Sequence, residues 1–480
     1  MQRKYVIFSL VAMALLMSSI DSTIVAVGLP AMRESLGTSI LLIGWTLTAY
    51  QLGTLLVMPL AGKLSDELGR KRVFLASIAI FTVASLLCGL APNVQILILC
   101  RALQAVGGGA FLPSCTGIIA DTFAEKRGQA IGLFSSIFPI GGVIGPNIGG
   151  VIIDTFSWRF IFYVNVPIGI AVLLLTWWIY RPAEQPFRRP TLDFAGVAIY
   201  GAAISALLVG LTWLGEHPSA GRSPLLWLAF AGVAALLVFW YRFERRAASP
   251  MIDTELLRYR PFLAANAYNF LFGAAVFGFT SFLPTYAELH YGLSATAAGL
   301  LLTPRAIVMV ITSTFSALVL IRFGYRLPMI LGVALVALSL LFTSFGAENV
   351  TILGVQLSNF AYLASIVALL GLGFGLSGPA SNNAALDLFP SRVAAVTGIR
   401  GMFRLTGGTL GTAMTVFVAS LFADEAQGLQ VVFFAMVFVM LAAIPMVFLI
   451  PDTARERRQA PREEVPAAEP SGPRLAPSGD

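Results

Sequence analysis

Residues 62–72 read Gly62-Lys63-Leu64-Ser65-Asp66-Glu67-Leu68-Gly69-Arg70-Lys71-Arg72, and the next residues, 73–91, contain no charged side chain. A helix of this length is about 28 Å long, close to the roughly 30 Å thickness of a bilayer's hydrocarbon core. A basic cluster at the end of an apolar run typically holds a transmembrane helix at the membrane surface. This stretch therefore predicts a membrane crossing over residues 73–91, directly after Arg72.

The rest of the chain repeats this pattern. Of the 480 residues in the whole chain, 57% are hydrophobic and 11% are charged, whereas soluble proteins carry roughly 25% charged residues. This composition excludes a soluble globular domain. The runs are too long, and alternate too little, for porin strands of about 10 residues. We predict an all-α polytopic membrane protein with fourteen transmembrane helices, at residues 5–29, 40–61, 73–91, 94–118, 128–152, 160–180, 194–214, 224–241, 262–286, 296–321, 328–346, 356–381, 394–422 and 430–450.

Lysine and arginine are concentrated in alternate loops. One side holds Lys4, the cluster at 70–72 and most other bases, whereas the opposite loops contain only Arg33, Arg159 and Arg222. The positive-inside rule then places both termini in the cytoplasm, with the chain in the cytoplasmic (inner) membrane. This topology also explains the net charge of +7, so no nucleic-acid partner is predicted.

Similar glycine patterns recur in the two halves of the chain. The fifth predicted span carries Gly141, Gly145 and Gly149, and the thirteenth carries Gly407 and Gly411. Repeated halves are typical of secondary transporters. We predict an N-terminal six-helix bundle (1–181), two inserted helices with linkers (182–260), a C-terminal six-helix bundle (261–451) and a disordered tail (452–480), because the tail lacks an apolar period.

Several motifs occur in a characteristic order. They are the loop 62–72, the residues Leu97, Arg101, Gln104, Gly107 and Gly108, the run Gly141-x-x-x-Gly145-Pro146-x-x-Gly149-Gly150, the stretch Asp21–Pro30 and the stretch Trp158–Gly169. Together they resemble the major facilitator superfamily, and specifically its fourteen-helix drug:proton antiporter branch. The pattern departs from the family at Ala105, where glycine is usual. The resemblance implies the major facilitator fold, with two six-helix bundles plus two inserted helices, and proton-coupled multidrug efflux that would give antibiotic resistance.

The glycines of the antiporter motif are Gly141, Gly145, Gly149 and Gly150, and they surround Pro146. Glycines four residues apart give a helix one bare stripe on which another helix can pack closely, and proline favours a bend. Ordinary helix packing would also explain the stripe. In the antiporter interpretation it forms a seal or hinge between the bundles.

The loop motif contributes Gly62, Asp66, Gly69 and Arg70. Its bases anchor topology, and Asp66 can cap the following helix or pair with Arg70. The resemblance implies a cytoplasmic latch that favours the outward-open state. Ile321 replaces the acid in the second half, so one strong latch is expected.

Asp21 is the only carboxylate deep within a predicted span. If the first helix ends near Pro30, Asp21 and Arg101 lie at similar depths, about 10–14 Å below the outer boundary. Low dielectric favours a neutral carboxyl, whereas a nearby arginine favours its charged form, so relative movement would couple protonation to access. We predict Asp21 as the proton site and Arg101 as its modulator. A static ion pair joining two helices is the alternative.

Aromatic and amide side chains within the spans suit variable lipophilic ligands, and the resemblance implies that helices one, four, nine and twelve line a central cavity. The predicted cavity residues are Tyr50, Gln51, Gln104, Asn147, Asn266, Asn269, Phe270, Phe277, Asn359, Tyr362 and Arg404. Arg305, Arg400 and Arg404 are further membrane-embedded bases, of which Arg400 can snorkel to the cytoplasmic face. Because bases outnumber deep acids, neutral or weakly acidic lipophilic compounds are favoured over dications.

These features predict a secondary active exporter of lipophilic drugs or toxic compounds in exchange for protons, working by alternating access. A dedicated exporter of one metabolite, or an importer, remains open on the same fold. A membrane-embedded enzyme is disfavoured because the two histidines, His217 and His290, lie near outer loops with no catalytic constellation. No phosphate-binding loop for a nucleotide is present in the sequence. We expect no cofactor or metal, the lipid bilayer as surroundings, and a monomer.

Overall fold

The computed structural model describes residues 2–123, 130, 133–134, 137–181, 193–217, 223–247, 250, 256–352, 355–389 and 393–452. The N-terminal half contains α1 (Gln2–Leu36), α2 (Ile40–Leu68), α3 (Arg70–Leu90), α4 (Val94–Thr122), α5 (Ile137–Thr155), α6 (Phe160–Tyr163) and α7 (Asn165–Ile179). Two helices follow, α8 (Phe194–Glu216) and α9 (Pro224–Glu244). The C-terminal half contains α10 (Arg260–Tyr291), α11 (Ala295–Leu300), α12 (Leu302–Phe323), α13 (Arg326–Ser344), α14 (Asn359–Leu388), α15 (Val393–Ser420), α16 (Glu425–Leu441) and α17 (Ile444–Phe448).

The helices confirm the predicted polytopic helical class. Twelve apolar segments among the described residues are long enough to cross a membrane, counting α6 with α7, α11 with α12, and α16 with α17 as single segments. The shorter apolar helix α5 and the arginine-containing α15 complete fourteen helical passes. A small exception to the all-α prediction is an antiparallel strand pair, Thr351–Ile352 with Val355–Gln356, in the loop before α14.

The first helix is longer than its sequence predicts. It continues through Pro30 to Leu36, so the expectation that it ends near Pro30 is wrong. Proline removes one backbone donor but leaves the helix intact here. The end is instead set by Gly37, which has φ of +56°, while Thr38 donates its N–H to the carbonyl of Arg33 at 3.2 Å. Glycine in a left-handed conformation is a common way to end a helix.

Helices α1–α7 form one bundle and α10–α17 form the other. In each bundle a basic side chain caps the C-terminus of the last helix. Arg3 donates to the carbonyl of Ile179, at 2.7 Å, where α7 ends. Arg326 donates to the carbonyl of Ile450 at 3.0 Å. Helix C-termini leave carbonyls without helical donors, so these arginines supply the missing hydrogen bonds. Asp452, the first residue of the predicted tail, accepts from the backbone of Tyr325 at 2.7 Å, and residues 453–480 lie outside the described part.

The inserted helix α8 packs between the bundles. Its Tyr200 forms a hydrogen bond of 2.7 Å with Thr406 of α15, and Trp45 of α2 donates to its Thr212 at 2.7 Å. Helix α9 packs against α8 and is almost wholly exposed, with Leu225 73% exposed. The insert therefore joins the edges of both bundles on one side and offers an apolar surface to lipid.

The fifth helix of each bundle packs on the first through glycine. A Cβ added to Gly145 of α5 would lie 2.2 Å from Thr23 Oγ1 of α1. A Cβ added to Gly407 or Gly411 of α15 would lie 2.0 Å from a backbone carbonyl of α10. Only a bare glycine face lets backbones approach this closely, so the two halves share one packing device.

The two ends of the molecule differ in how the bundles meet. We call the end where α1 begins the terminal face and the end near Leu36 the distal face. On the distal half, a Cβ on Gly150 of α5 would lie 2.5 Å from the Cα of Thr296 in α11. Towards the terminal face, a Cβ on Gly142, Gly398 or Gly401 would meet no atom of the described residues within 4 Å. Among the described residues, the bundles thus meet closely in the distal half, and these three glycines face open space towards the terminal face.

Candidate functional site

Asp21 lies at the centre of a buried polar network in the N-terminal bundle. Its Oδ2 accepts a hydrogen bond from Arg101 Nη1 at 2.7 Å. Its Oδ1 accepts from Gln104 Nε2 at 2.8 Å and from Asn165 Nδ2 at 2.9 Å. Asp21, Arg101 and Gln104 expose no surface. One carboxylate thus joins three helices, α1, α4 and α7.

The Arg101 guanidinium has further partners around it. Its Nε donates to the carbonyl of Thr46 in α2 at 3.2 Å, and its Cζ lies 4.1 Å above the Tyr50 ring. The Nη2 atom has no hydrogen-bond partner among the described residues. Cation–π contact with Tyr50 partly replaces the lost hydration of the charge.

Three donors, one of them charged, surround the Asp21 carboxylate. Charge-assisted hydrogen bonds are about twice as strong as neutral ones. Since the donors belong to α4 and α7, a shift of either helix relative to α1 changes the hydrogen bonds that Asp21 accepts.

The structure brings together Asp21 and Arg101 as predicted, and it adds Asn165 and Ser85, which sequence reasoning missed as parts of this network. Ser85 Oγ accepts from Gln104 Nε2 at 2.7 Å. Asn165 belongs to the motif Trp158–Gly169, but the sequence does not show that its side chain bonds to Asp21. Tyr50 and Gln104, predicted to line a cavity, belong to this buried network instead.

Two other predicted cavity residues bridge the bundles. Thr412 of α15 donates to Gln51 Oε1 at 3.3 Å, and Asn147 Nδ2 donates to Thr303 Oγ1 of α12 at 2.7 Å. Nearer the distal face, the backbone of Thr296 donates to Asp154 Oδ2 at 2.9 Å. Arg33 of α1 also forms an ion pair with Glu425 of α16. We call these four contacts the distal lock.

The antiporter motif packs on two different partners. Gly141, Gly145 and Gly149 all face α1 of their own bundle. Gly150 faces Thr296. A Cβ added to Gly299 of α11 would lie 2.2 Å from the carbonyl oxygen of Pro146. One face of α5 thus binds α1, and the face of Pro146 and Gly150 meets the other bundle. A cavity of about 430 Å³ lies at the distal end beside the Arg33 contact of the distal lock, lined by residues that include Leu29, Arg33 and Phe282.

Several predicted cavity residues lie within the C-terminal bundle. Asn269 donates to the carbonyl of Arg400 at 2.6 Å, and the buried Asn266 donates to its own helix at 2.8 Å. The backbone of Phe270 contacts Gly407, and the ring of Phe277 contacts Gly408. These residues pack α10 against α15.

Asn359 and Tyr362 lie near the distal end of α14. The backbone of Asn349 donates to Asn359 Oδ1 at 3.1 Å, and Tyr362 donates to the carbonyl of Phe342 at 3.3 Å. Both side chains thus bond within the C-terminal bundle.

The loop motif forms a close turn between α2 and α3. Gly69 has φ of +95°, a conformation that favours glycine, and Gly62 lies against Pro113 of α4. Arg70 forms an ion pair of 2.9 Å with Asp121 at the end of α4. The side chain of Asp66 lies outside the described part, so its predicted latch stays a prediction.

Comparison with known proteins gives a family. The model of the Major Facilitator Superfamily matches residues 11–403 and again residues 265–476. The multidrug transporter protein MdtP of Bacillus subtilis is 32% identical over 408 residues, which cover 84% of this chain and 72% of that protein. Multidrug resistance protein 3 of the same organism is 33% identical, covering 86% and 78%.

A third relative and two solved structures are also similar. The tetracenomycin C resistance and export protein of Streptomyces glaucescens is 30% identical, covering 86% of this chain and 76% of that protein. A bacterial homologue of the human lysosomal transporter Spinster superposes with a TM-score of 0.66 at 16% identity, over 93% of this chain and 96% of that one. The nucleoside transporter NupG also gives 0.66, at 12% identity, over 92% and 98%. These structures establish a shared fold.

Proposed function

This chain belongs to the major facilitator superfamily, and from that premise we propose that it exports lipophilic drugs or toxic compounds from the cytoplasm in exchange for protons. The observation that carries the proposal is the fully buried Asp21 carboxylate, bound by Arg101, Gln104 and Asn165. A carboxylate within a membrane span is costly and marks functional pathways such as proton relays.

The orientation follows from charge. With the positive-inside rule, the terminal face carrying Arg3, Lys71 and Arg326 is cytoplasmic. The opening between the bundles then faces the cytoplasm, from which an exporter takes its substrate. The distal lock closes the outer side. This is one of the two states that alternating access requires, and opening the other side means breaking the distal lock.

The placement of Asp21 supports proton coupling. It lies on α1, which packs tightly on α5 through Gly141, Gly145 and Gly149, and α5 carries Asn147 of the distal lock. When the lock opens, α1 and α5 move together, whereas Arg101 and Asn165 lie on other helices. The donors to Asp21 then change, and proton binding becomes linked to which side is open.

The relatives support drug export, because two carry multidrug names and one is named for resistance and export. A narrow exporter of a single compound is the second candidate. It is favoured by the tetracenomycin C resistance and export protein, whose name mentions one compound.

Expression in a cell that lacks its main efflux pumps tests the proposal. A lipophilic dye should accumulate less in expressing cells than in empty cells, and an uncoupler should abolish the difference. Asp21→Asn should also abolish it with the protein still in the membrane, whereas Glu34→Gln, at the exposed distal end of α1, should not. Export that persists in Asp21→Asn against a proton gradient would refute the coupling role.

A further inference from the structure

Three arginines lie in the membrane-spanning helices of the C-terminal bundle: Arg305 on α12, and Arg400 and Arg404 on α15. None of them forms an ion pair with a described carboxylate. In the N-terminal bundle, by contrast, Arg101 is paired with Asp21. Charged groups at this depth are costly and face an interior or water-filled space where they serve a function. We call these three residues the arginine cluster.

Arg404 faces the space between the bundles. Residues 404, 408 and 412 lie four apart and so share one face of α15. On this face Gly408 contacts Phe277, and Thr412 bonds to Gln51 of the other bundle. Arg404 is exposed, and a Cβ on Gly401, one turn away, would meet no atom of the described residues within 4 Å. Arg404 therefore lies on the face of α15 that also contacts the other bundle through Thr412.

Arg400 adds an unsatisfied donor next to this opening. It is 6% exposed, and its Nη2 donates to Ser381 of α14 at 2.9 Å. Its Nη1 is buried and has no partner among the described residues. Arg400 and Arg404 are four residues apart on one helix, where like charges repel. An anion bound beside them would relieve the repulsion and, with a modest side-chain shift, supply the missing acceptor.

A row of aromatic rings runs from Arg305 to Tyr268, whose chain neighbour Asn269 donates to the carbonyl of Arg400. The Cζ of Arg305 lies 5.8 Å from the centre of the Phe374 ring, and Phe374 meets Phe272 edge-on at 5.2 Å. Phe272 in turn stacks on Tyr268 at 5.8 Å. Arg305 Nε is a further buried donor with no described partner. The arginine cluster thus has aromatic rings beside it, of the kind that suit a ring-containing ligand, although Tyr268 and Phe272 are themselves buried.

We propose that the arginine cluster binds the anionic group of lipophilic aromatic acids, with Arg404 as the first contact, and that these anions are the substrates of the export function, on which this proposal rests. Carboxylates and sulfonates accept bidentate hydrogen bonds from guanidinium, whereas a quaternary ammonium group meets only repulsion.

Equilibrium binding to the purified full-length protein tests this without relying on transport. Two probes share one ring system and differ in charge: naphthalene-2-sulfonate and trimethyl(naphthalen-2-yl)ammonium. The sulfonate should bind at least tenfold more tightly than the ammonium compound. Arg404→Gln should weaken sulfonate binding about tenfold, and Arg404→Lys should retain most of it. Arg245→Gln, an exposed residue at the end of α9, is the charge-matched control and should change nothing.

Other results would overturn the proposal. They are equal binding of the two probes, no detectable sulfonate binding, or unchanged sulfonate affinity in Arg404→Gln protein that elutes as a folded monodisperse species. Proton-driven export of a cationic dye without sulfonate binding would leave the export function standing and reject the anion subsite alone. Sulfonate binding without proton-driven export would support the anion subsite and reject the export function.

Discussion

The Asp21 carboxylate lies 2.7 Å from the Arg101 guanidinium, and neither side chain exposes any surface. The pair links α1, which packs on the lock-bearing helix α5, to α4 of the same bundle. Such a pair can be a fixed structural tie or a proton site that opens as helices move. The two roles differ in what happens when both charges are removed.

Removing Arg101 alone should strongly destabilise the protein. Arg101→Met leaves a buried carboxylate without its charged partner, and breaking such a pair typically costs about 3–5 kcal/mol. The double variant Asp21→Asn with Arg101→Met should regain most of that stability, because no charge remains buried. Thermal unfolding of the purified variants measures the difference.

Transport by the same double variant separates the two roles. If Asp21 carries the proton, the stable double variant should show no proton-driven export in inverted vesicles. Export at wild-type rates by this variant would mean that the pair is a structural tie only.

Gly145 should tolerate no side chain. A Cβ there would lie 2.2 Å from Thr23 Oγ1 and 2.9 Å from the carbonyl of Ile20, so leucine must push α5 away from α1. Overpacking of this kind typically costs about 1–3 kcal/mol. We expect Gly145→Leu to insert into the membrane but to lose export.

Gly142 provides the matched control, because a Cβ there meets no atom of the described part of the chain within 4 Å. Gly142→Leu should express like the wild type and retain its stability. Equal stability of the two leucine variants, measured by thermal unfolding, would contradict the tight contact between α1 and α5.

Cross-linking of the distal lock should stop transport. Asn147 and Thr303 share a hydrogen bond of 2.7 Å across the two bundles, so cysteines at both positions should be joined by oxidation or by a short thiol-specific linker. The joined protein should bind substrate but not export it, and a reducing agent should restore export. Single-cysteine variants under the same oxidation control for unrelated damage, and continued export by fully cross-linked protein would show that this contact need not open.

Much of the fold could be predicted because membrane helices are specified by local composition. Each apolar run of about 20 residues has few alternatives to a helix in a bilayer. The Asp21–Arg101 contact could be predicted from helical rise and from the scarcity of buried charge. The predicted depth of Asp21 in the membrane nevertheless assumes that α1 ends at Pro30, whereas Gly37 ends the helix.

The remaining features depend on which helices face each other, which local composition does not encode. Asn165 joins Asp21 across a separation of 144 residues. Sequence spacing shows that Gly141, Gly145 and Gly149 form a stripe, but only the packing shows that α1 covers it. Asn359 has the chemistry of a binding residue, yet it is the first residue of α14 and binds the preceding loop.

The opening towards the terminal face should be detectable by cysteine labelling. Gly401→Cys faces open space on α15, whereas Thr409→Cys on the same helix replaces a fully buried side chain. With a membrane-impermeant maleimide, Gly401→Cys should react in inverted vesicles and not in right-side-out cells, and Thr409→Cys should react in neither. The native cysteines are buried and should give little background. Adding Arg33→Gln removes one ion pair of the distal lock, worth about 0.2–1 kcal/mol when partly exposed, so the ratio of outward-open to inward-open protein should rise by up to about fivefold. Labelling of Gly401→Cys should fall accordingly. Labelling from the outside alone would reverse the assigned orientation, and unchanged labelling after Arg33→Gln would exclude this ion pair from the lock.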